Sequence, residues 1–342
     1  MNRNVRCVFT GPFTAQLEAG EPTRPPDAGQ VRIRTRYSLI SPGTELALYT
    51  HAHVGFKDPA NTWAKYPFYP GYAAVGEVLD AGPDVRGLGA GQLVYFRGRH
   101  ESLATVAADL AAVTPLPAGL KAEHAPFARL AQIANTALAL SRPAVGLDVA
   151  VIGLGLVGNL AAQLYRQAGA RVLAVDPQEA RCRIARACGL TDILQAAMPE
   201  AVESARAWSA GKGAPIVVEA TGNPTLVPAA LAMAARLGEA LLLGSPRGPI
   251  EIDIYTLIHR SGVALKGAHE SLVPPVALDG ALDQRAVARR MLDLITGGAI
   301  SVAPLLTDII APHELPAAYD RLRGAEGRSL GVLVDWSRLE AP

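Results

Sequence analysis

The sequence predicts an α/β protein in which a β-rich domain precedes a doubly wound parallel sheet. In the first third, glycine and proline separate short β-branched runs at residues 31–35 and 74–78, a pattern typical of strands. From about Leu147, apolar runs of strand length alternate with stretches of helical periodicity. Because parallel strands need crossover connections, that alternation indicates strands joined by helices on the faces of one sheet.

The elements of the predicted parallel sheet follow one another from residue 149 onward. They are strand 149–152, helix 156–167, strand 172–175, helix 178–188 and strands 216–218, 240–243 and 263–265. After Pro274 and Pro275, a helix is predicted over 284–295, and short strands over 305–310 and 331–334 are expected to rejoin the first domain. The predicted domain ranges are 1–135, 136–275 and 276–342.

The 342-residue length is typical of two domains, and 50% hydrophobic residues provide a large core. The 32 basic and 31 acidic residues give a net charge of +1, so no global field attracts nucleic acid or an anionic membrane. Cys7, Cys182 and Cys188 are too few and too scattered for a disulfide framework or a structural zinc lobe. With no apolar leader and no run of about 20 apolar residues, we expect a cytoplasmic protein that acts on a small molecule.

A glycine-rich turn at residues 149–158 is the most informative motif. It follows a predicted strand, opens a predicted helix, and has Asp176 placed 23 positions after Gly153. Gly153 allows the tight turn, Gly155 lets the backbone approach a pyrophosphate at the helix amino terminus, and Gly158 allows the helix to pack on the strand. The site residues between these glycines are Leu154, Leu156 and Val157. The alternative interpretation is a glycine-rich turn that binds nothing.

Asp176 ends the next predicted strand and favours NAD as the cofactor. Its carboxylate could accept hydrogen bonds from both adenosine ribose hydroxyls, whereas a 2′-phosphate would meet like-charge repulsion. Arg181, five residues later, could cover the adenine face, or it could form a solvated helix surface with Arg183 and Arg186.

Several separated motifs carry a family resemblance. They are residues 40–45 (Ile-Ser-Pro-Gly-Thr-Glu), residues 70–78 (Pro-Gly-Tyr-Ala-Ala-Val-Gly-Glu-Val), the glycine turn, residues 218–222 (Val-Glu-Ala-Thr-Gly) and residues 243–248 (Leu-Gly-Ser-Pro-Arg-Gly). In this order they make nearly the whole chain resemble the medium-chain dehydrogenase/reductase superfamily, and the Ser-Pro-Gly-Thr-Glu loop is similar to that of cyclitol, sugar and bacteriochlorophyllide dehydrogenases. The resemblance implies a GroES-like substrate domain, a Rossmann NAD-binding domain and a carboxyl-terminal return to the first domain. It also implies that Thr221, Gly244 and Ser245 lie near the nicotinamide.

The resemblance places zinc-ligand positions of zinc-dependent members at Pro42, Tyr72 and Gln132. Proline offers no donor atom, an amide is a poor zinc ligand, and a lone phenol would hold zinc weakly. No cysteine lies between Gln92 and Ala104, where the family's four-cysteine lobe would be inserted. We therefore expect an enzyme without a bound metal.

His51 and His53 form a His-x-His pair that could replace the lost ligands, because a strand-like spacing would place both on one face. No cysteine or carboxylate joins them at ligand spacing, so we favour loop histidines that line a cleft. As replacement ligands, both side chains would have to face the same metal ion; as loop histidines, they need not.

Without zinc, a polar side chain must remove or supply the proton of the substrate oxygen. The resemblance makes Thr44 the hydroxyl that touches this oxygen and Glu45 a residue that orients its neighbours. Tyr72 and Gln132 are candidates because they occupy ligand positions. Tyr72 could donate a proton, or it could be a core tyrosine that fills the space of the metal.

His269 and Glu270 end the last predicted strand of the parallel sheet. Ligands of open α/β sheets bind beyond the carboxyl ends of strands, so this pair could contact substrate hydroxyls or serve as a general base. The alternative is a polar turn at a subunit interface.

The predicted activity is hydride transfer, without zinc, between NAD and a secondary alcohol or ketone of a small polyhydroxylated substrate such as a cyclitol or sugar. Two alternatives stay open. One is a zinc-free quinone or enoyl reductase, which Asp176 disfavours because those branches generally use NADPH, and the other is a non-catalytic NAD-binding protein. Strand 263–265 is a plausible sheet edge, so a homodimer joined edge to edge is expected.

Overall fold

The computed structural model describes residues 4–21, 24–109, 112–273, 283–324 and 329–339. In chain order the strands are β1 (Val5–Gly11), β2 (Thr14–Ala19), β3 (Gln30–Leu39), β4 (Ala74–Ala81), β5 (Leu93–Phe96), β6 (Leu103–Ala107), β7 (Thr114–Pro115), β8 (Asp148–Ile152), β9 (Arg171–Val175), β10 (Asp192–Leu194), β11 (Ala214–Glu219), β12 (Ala234–Leu242), β13 (Ala264–Gly267), β14 (Leu306–Ile310) and β15 (Gly331–Asp335). The α-helices are α1 (Pro42–Tyr49), α2 (Phe127–Leu140), α3 (Leu156–Gln167), α4 (Glu179–Ala187), α5 (Glu200–Trp208), α6 (Val227–Met233), α7 (Gln284–Thr296) and α8 (Leu315–Arg323).

The parallel sheet has the strand order β10-β9-β8-β11-β12-β13. All of its neighbouring strands run parallel, and α3 connects β8 to β9 as predicted. Strands β9 and β10 lie on one side of β8, and β11, β12 and β13 lie on its other side. The strand order therefore reverses between β8 and β11, which creates the crevice where ligands of doubly wound sheets bind. The predicted α/β class with a doubly wound sheet is confirmed.

Strand β8 shows why continuous apolar runs mark the centre of this sheet. Val149 and Val151 pack into the core cluster that contains residues of α2 and α3. Ala150 and Ile152 pack into a second cluster on the opposite face, under α5 and α6. Because both faces are covered, every residue from 149 to 152 is buried and no polar position is tolerated.

The carboxyl-terminal strands β14 and β15 lie in the other large sheet, which we call the first sheet because it contains β3 to β7. Its order is β14-β15-β3-β4-β5-β7, with β6 also paired to β3. Strand β15 runs antiparallel to β3, with Leu333 opposite Leu39. Helix α7 packs its apolar side into the core cluster that holds α2. The predicted boundary between residues 135 and 136 falls inside α2, and Pro274, Pro275 and the boundary that follows them lie outside the described residues.

The segment expected to form a loop around Thr44 is instead the helix α1. Ser41 is its N-cap, and Pro42 fits the first helical position because it has no N–H group to leave unpaired. The Glu45 carboxylate accepts the Ser41 N–H at 2.9 Å, which satisfies one free backbone donor at the helix start. Pro42 and the hydrogen bond from Ser41 to Glu45 therefore stabilise a helix where the resemblance implied a loop.

Strand β13 is an edge of the parallel sheet, and 36% of the Leu265 surface is exposed. An apolar edge of this kind can pair with another chain, so the homodimer stays a prediction. None of the helices in the described ranges combines the length and apolarity needed to cross a bilayer.

Candidate active site

A cleft of about 710 Å³ lies where the first sheet meets the carboxyl ends of the parallel strands. Its walls come from α1, residues 62–72, the segment after β5, the start of α2, and the ends of β12 and β13. Among the predicted catalytic residues, those that line this cleft are Thr44, Glu45, Tyr72, His269 and Glu270. Residues far apart in the sequence therefore share one space, as the resemblance implied.

Tyr72 lies two residues before β4 and points its hydroxyl toward the start of α1. The hydroxyl donates a hydrogen bond to Ser41 Oγ and also interacts with Thr44. Burial raises the pKa of the Tyr72 phenol, while the hydrogen bonds to Ser41 and Thr44 and the Arg129 cation act against that rise. The phenol is therefore protonated at neutral pH, in the form that can donate a proton.

Glu45 is 1% exposed and holds α1 in place rather than facing the cleft freely. One of its oxygens accepts a hydrogen bond from the Tyr319 hydroxyl at 2.6 Å and lies 3.0 Å from His100 Nε2. His100 Nδ1 is 2.7 Å from Ser38 Oγ, so this buried imidazole is bonded on both sides. These contacts join α1, α8 and the first sheet, and they fit the predicted orienting role of Glu45.

Arg129, at the start of α2, was missed by the sequence analysis. Its side chain is 4% exposed and forms an ion pair with Glu270. The guanidinium carbon lies 5.2 Å from the centre of the Tyr72 ring, and Nε has no hydrogen-bond partner among the described residues. Arg129 is the one charged residue of α2, and a lone cation in an apolar helix was the signal that could have identified it.

Gln132 lies one turn further along α2 and does not line the cleft with Tyr72. Its Oε1 accepts a hydrogen bond from the Tyr95 hydroxyl at 2.9 Å, and its Nε2 donates to the Gln284 carbonyl at 2.7 Å. Both ends of the amide are therefore engaged in tying α2 to β5 and α7. The sequence placed Gln132 at the former ligand position, but in the structure Arg129 faces Tyr72.

His269 is exposed at the cleft, and its Nδ1 lies 2.7 Å from Ser271 Oγ and accepts the Ser271 N–H. This interaction caps the short 3-10 turn Glu270–Leu272 and leaves Nε2 as the nitrogen able to face a substrate. Glu270 is not a free base, because it is paired with Arg129.

The two histidines of the His-x-His pair separate. His51 stacks on Phe56, with ring centres 4.0 Å apart, whereas His53 lines the cleft and accepts the Gly55 N–H at 3.1 Å. The expected cleft-lining position therefore holds for His53 and is wrong for His51. In the part of the chain that the structure describes, no three His, Cys, Asp or Glu side chains form a group that could hold a metal ion.

The glycine turn has the geometry that its sequence predicts. Gly153 has φ +91°, and a side chain at Gly158 would place its Cβ 1.8 Å from the Gly153 oxygen. In contrast, the space next to Gly155, the N-cap of α3, is open. The first and third glycines are required by the turn itself, and the open space above the second fits a phosphate at the helix amino terminus.

The other predicted cofactor residues gather around this turn. Asp176 is 1% exposed, and its carboxylate accepts the Leu154 N–H at 2.8 Å. Arg181 Nη1 lies 3.3 Å from the same oxygen, so Arg181 pairs with Asp176 rather than lying on a fully solvated helix face. A Cβ at Gly153 would contact Thr221, and Gly244 packs against the turn that follows Thr221, which brings the ends of β8, β11 and β12 together. Ser245 continues from Gly244 into the cleft lining.

Comparison with known proteins finds similarity to dehydrogenases. A family model described as zinc-binding dehydrogenase matches residues 157–278. Two curated relatives are L-threonine 3-dehydrogenases. That of Bacillus subtilis strain 168 is 29% identical over 187 residues, 54% of this chain and 50% of the relative, and that of Streptomyces coelicolor is 28% identical over 301 residues, 79% of this chain and 83% of the relative.

Two solved structures share the fold over nearly their whole length. A zinc-binding dehydrogenase from Sinorhizobium meliloti 1021 bound to NADP has a TM-score of 0.80 at 20% identity, covering 98% of this chain and 100% of that chain. An alcohol dehydrogenase from Escherichia coli CFT073 complexed with NADH has a TM-score of 0.82 at 16% identity, with the same coverage. By the family-model match, the curated relatives and the shared fold, the chain resembles the medium-chain dehydrogenase/reductase superfamily. Both of these solved structures contain a nicotinamide cofactor.

Similarity to zinc-binding dehydrogenases does not by itself decide whether this chain binds a metal. The chain spans about half the length of the first two curated relatives it matches. The region matched by the zinc-binding dehydrogenase model contains neither Pro42, Tyr72 nor Arg129. The donor set at these three positions is a proline, a phenol and a guanidinium, and it does not fit zinc, which needs thiolate, imidazole or carboxylate ligands.

Proposed function

We propose that this protein is a zinc-independent, NAD-dependent dehydrogenase that acts on a secondary alcohol or ketone of a small polyhydroxylated molecule. One observation carries the proposal: the Tyr72 phenol and the Arg129 guanidinium meet in the cleft at the carboxyl ends of the cofactor-binding strands. A proton donor and a fixed positive charge at one place are what a carbonyl oxygen needs when it becomes an alkoxide.

The residues of the glycine turn fit a nicotinamide dinucleotide. The open space at Gly155 and the free N–H groups of α3 suit its pyrophosphate, and Asp176 and Arg181 lie where the next strand ends. When it is bound, the dinucleotide supplies the hydride for reduction or accepts it in oxidation. The polyhydroxylated substrate class comes from the family resemblance of the Ser-Pro-Gly-Thr-Glu segment.

Tyr72 is the proposed proton donor during ketone reduction. As the carbonyl carbon gains a hydride, its oxygen becomes negative and takes the proton from the Tyr72 hydroxyl. Ser41 shares a hydrogen bond with Tyr72. Because both groups are hydroxyls, Ser41 can in turn donate a hydrogen bond to the phenolate that forms when Tyr72 loses its proton. In alcohol oxidation the same proton moves in the opposite direction.

Arg129 is the proposed source of fixed charge at this oxygen. Its guanidinium is always protonated, and its ion pair with Glu270 fixes it beside the Tyr72 ring. A cation in a site shielded from water stabilises a developing alkoxide more strongly than the same cation would in solvent. Thr44 lines the same space and offers a further hydroxyl donor.

The proposed mechanism predicts that zinc is dispensable. Purified protein should contain far less than one zinc per chain by elemental analysis, and a chelator should leave turnover unchanged, because Pro42, Tyr72 and Arg129 supply no thiolate or imidazole. Adding zinc to the assay should not increase the rate. One zinc per chain, with activity lost on chelation and regained on zinc addition, would overturn the mechanism.

The cofactor proposal predicts opposite effects from two neighbouring side chains. Asp176→Ala should weaken NAD binding and improve NADP relative to NAD, because the carboxylate that repels a 2′-phosphate is gone. Arg181→Ala should shift the preference further toward NAD, because in the unaltered protein Arg181 partly offsets the negative charge of Asp176. Dissociation constants measured by fluorescence titration for both dinucleotides test both changes. Tighter binding of NADP than NAD to the unaltered protein would contradict the proposal.

A panel of cyclitols, sugars, quinones and enoyl substrates, followed by the change in NADH or NADPH absorbance, tests the reaction class. Oxidation of a secondary alcohol with NAD is the expected result. Reduction of quinones or enoyl compounds alone, with NADPH, would instead support the reductase alternative. Dinucleotide binding without turnover of any member would favour the non-catalytic alternative.

A further inference from the structure

We infer that the substrate carries a carboxylate or phosphate group and that Arg97 binds this group inside the cleft. The inference deepens the proposed dehydrogenase function and rests on it for the hydride-transfer step. It comes from the distribution of charge in the described cleft lining, which is very different from the near-neutral balance of the whole chain.

Basic side chains outnumber carboxylates in this lining. The basic residues are Lys65, Arg97, Arg99, Arg129 and Arg247. The carboxylates among the described lining residues are Glu45 and Glu270, and neither is free: Glu45 is bonded to Tyr319 and His100, and Glu270 to Arg129. The unbalanced charge of the lining is therefore positive, which favours an anionic ligand.

Arg97 is a partly buried cation without an ion-pair partner among the described residues. It follows β5, is partly buried, and hydrogen bonds to the neutral Gln284 side chain. No carboxylate lies within ion-pair distance of it in the described part of the chain. Burial, followed by repulsion from Arg129, lowers its pKa, and the Glu270 carboxylate, which is beyond ion-pair distance, only partly opposes that shift. Partial burial of a cation without a counter-ion costs free energy, and a ligand anion would recover that cost.

The position of Arg97 relates the anionic group to the reacting oxygen. Arg97 and Arg129 line both the cleft and a small adjoining cavity, so they are neighbours on one wall. A substrate whose oxygen faces Tyr72 and Arg129 therefore has Arg97 on the same wall of the cleft, where it is available to bind a second group of that substrate. A planar guanidinium can hold a carboxylate or a phosphate through two hydrogen bonds, which fixes direction as well as distance.

The glycine turn does not account for these cations. None of residues 153–158 belongs to the cleft lining, so Arg97 is not part of the pyrophosphate site. Arg247 is a second partly buried cation and its Nη1 lies 3.3 Å from the Gly43 carbonyl, again with no carboxylate partner among the described residues. Lys65 and Arg99 are more exposed and would attract an anion toward the cleft.

Binding of small anions tests Arg97 without assuming a carbon skeleton. Inorganic phosphate and acetate are titrated into the full-length protein saturated with NADH, and binding is followed by calorimetry and melting temperature. At least one anion should bind the unaltered protein, and Arg97→Gln should weaken it by about 10- to 100-fold, the range for a hydrogen bond to a charged group. Arg97→Lys keeps the charge and should retain part of the affinity.

Arg34→Gln is the matched control, because Arg34 lies on β3 with 61% of its side chain exposed and only a 3.9 Å contact to Glu77. It should bind the anions like the unaltered protein. If both anions bind Arg97→Gln as well as they bind the unaltered protein, or if neither binds at all, the inference is wrong.

Kinetics with a matched six-carbon series separates this inference from the proposed function. Glucitol is the neutral member, gluconate carries a carboxylate, and glucitol 6-phosphate carries a phosphate. We expect kcat/KM at least about 10-fold higher for one charged member, with that advantage reduced in Arg97→Gln. Equal turnover of all three would overturn the anion preference and leave the dehydrogenase standing. Arg97-dependent anion binding with no hydride transfer from any alcohol of the series would support the anion site and overturn the dehydrogenase.

Discussion

Replacing Tyr72 with phenylalanine should lower turnover by about 10²- to 10⁴-fold, the range expected when a general acid is lost. The ring and its contact with Arg129 stay, and only the hydroxyl that bonds to Ser41 is removed. Dinucleotide affinity should be unchanged, because Tyr72 lies outside the glycine turn. Steady-state kinetics and a dinucleotide titration on the same protein measure the two quantities.

The pH profile gives this prediction a second readout. Tyr72 donates its proton only in the neutral form, and burial raises its pKa against the opposing influence of Arg129. Ketone reduction should therefore be constant through neutral pH and fall only as the pH approaches that raised pKa. The other charged groups that act on Tyr72 are Glu45, Arg97 and Arg247. The alkaline fall should be absent from the residual activity of Tyr72→Phe.

Tyr66→Phe provides the matched control. The Tyr66 hydroxyl donates to the Leu48 carbonyl at 2.6 Å and does not line the cleft. Its loss should reduce stability by about 1 kcal/mol, as for a typical hydrogen bond, with normal turnover. Normal turnover in Tyr72→Phe, together with a large loss in His269→Asn, would move the acid role to His269.

The glycine turn and the central strand of the parallel sheet were predictable because their signals are local. Gly153 and Gly158 are required by a turn of fewer than ten residues, and the strand at 149–152 is apolar throughout because both faces of the sheet are covered. The first constraint acts between residues close in sequence, and the second is visible in the sequence as an unbroken local run of apolar residues. The sequence pattern was therefore sufficient to predict both the turn and the strand.

The catalytic part was harder to predict because its contacts are between distant residues. Glu270 and Arg129 are 141 positions apart, and Tyr72 meets Arg129 only after α2 has packed against the first sheet. The resemblance located α2 correctly but was one helical turn away from the side chain that faces the cleft. A helix has several faces, and tertiary packing decides whether Arg129 or Gln132 lines the cleft.

The second large effect is expected at Arg129, where Arg129→Gln should lower turnover by about 10²- to 10³-fold, the range for loss of a preorganised charge or donor at a developing oxyanion. Arg129→Lys should recover part of this loss, because the charge returns without the planar fork. The affinity for the dinucleotide should stay close to that of the unaltered protein. Single-turnover and steady-state rates of ketone reduction measure the effect.

Stability must be separated from catalysis at this position, because Arg129 is also one half of a largely buried ion pair. Glu270→Gln leaves the buried guanidinium unpaired and should destabilise the protein by about 3 kcal/mol, whereas the double change Arg129→Gln with Glu270→Gln removes both charges and should regain most of that stability. Denaturant unfolding measures this cycle. Because the double variant still lacks the cation beside Tyr72, its turnover should stay as low as that of Arg129→Gln. If turnover recovers together with stability, Arg129 only holds the fold together, and the proposed replacement of zinc by a fixed guanidinium fails.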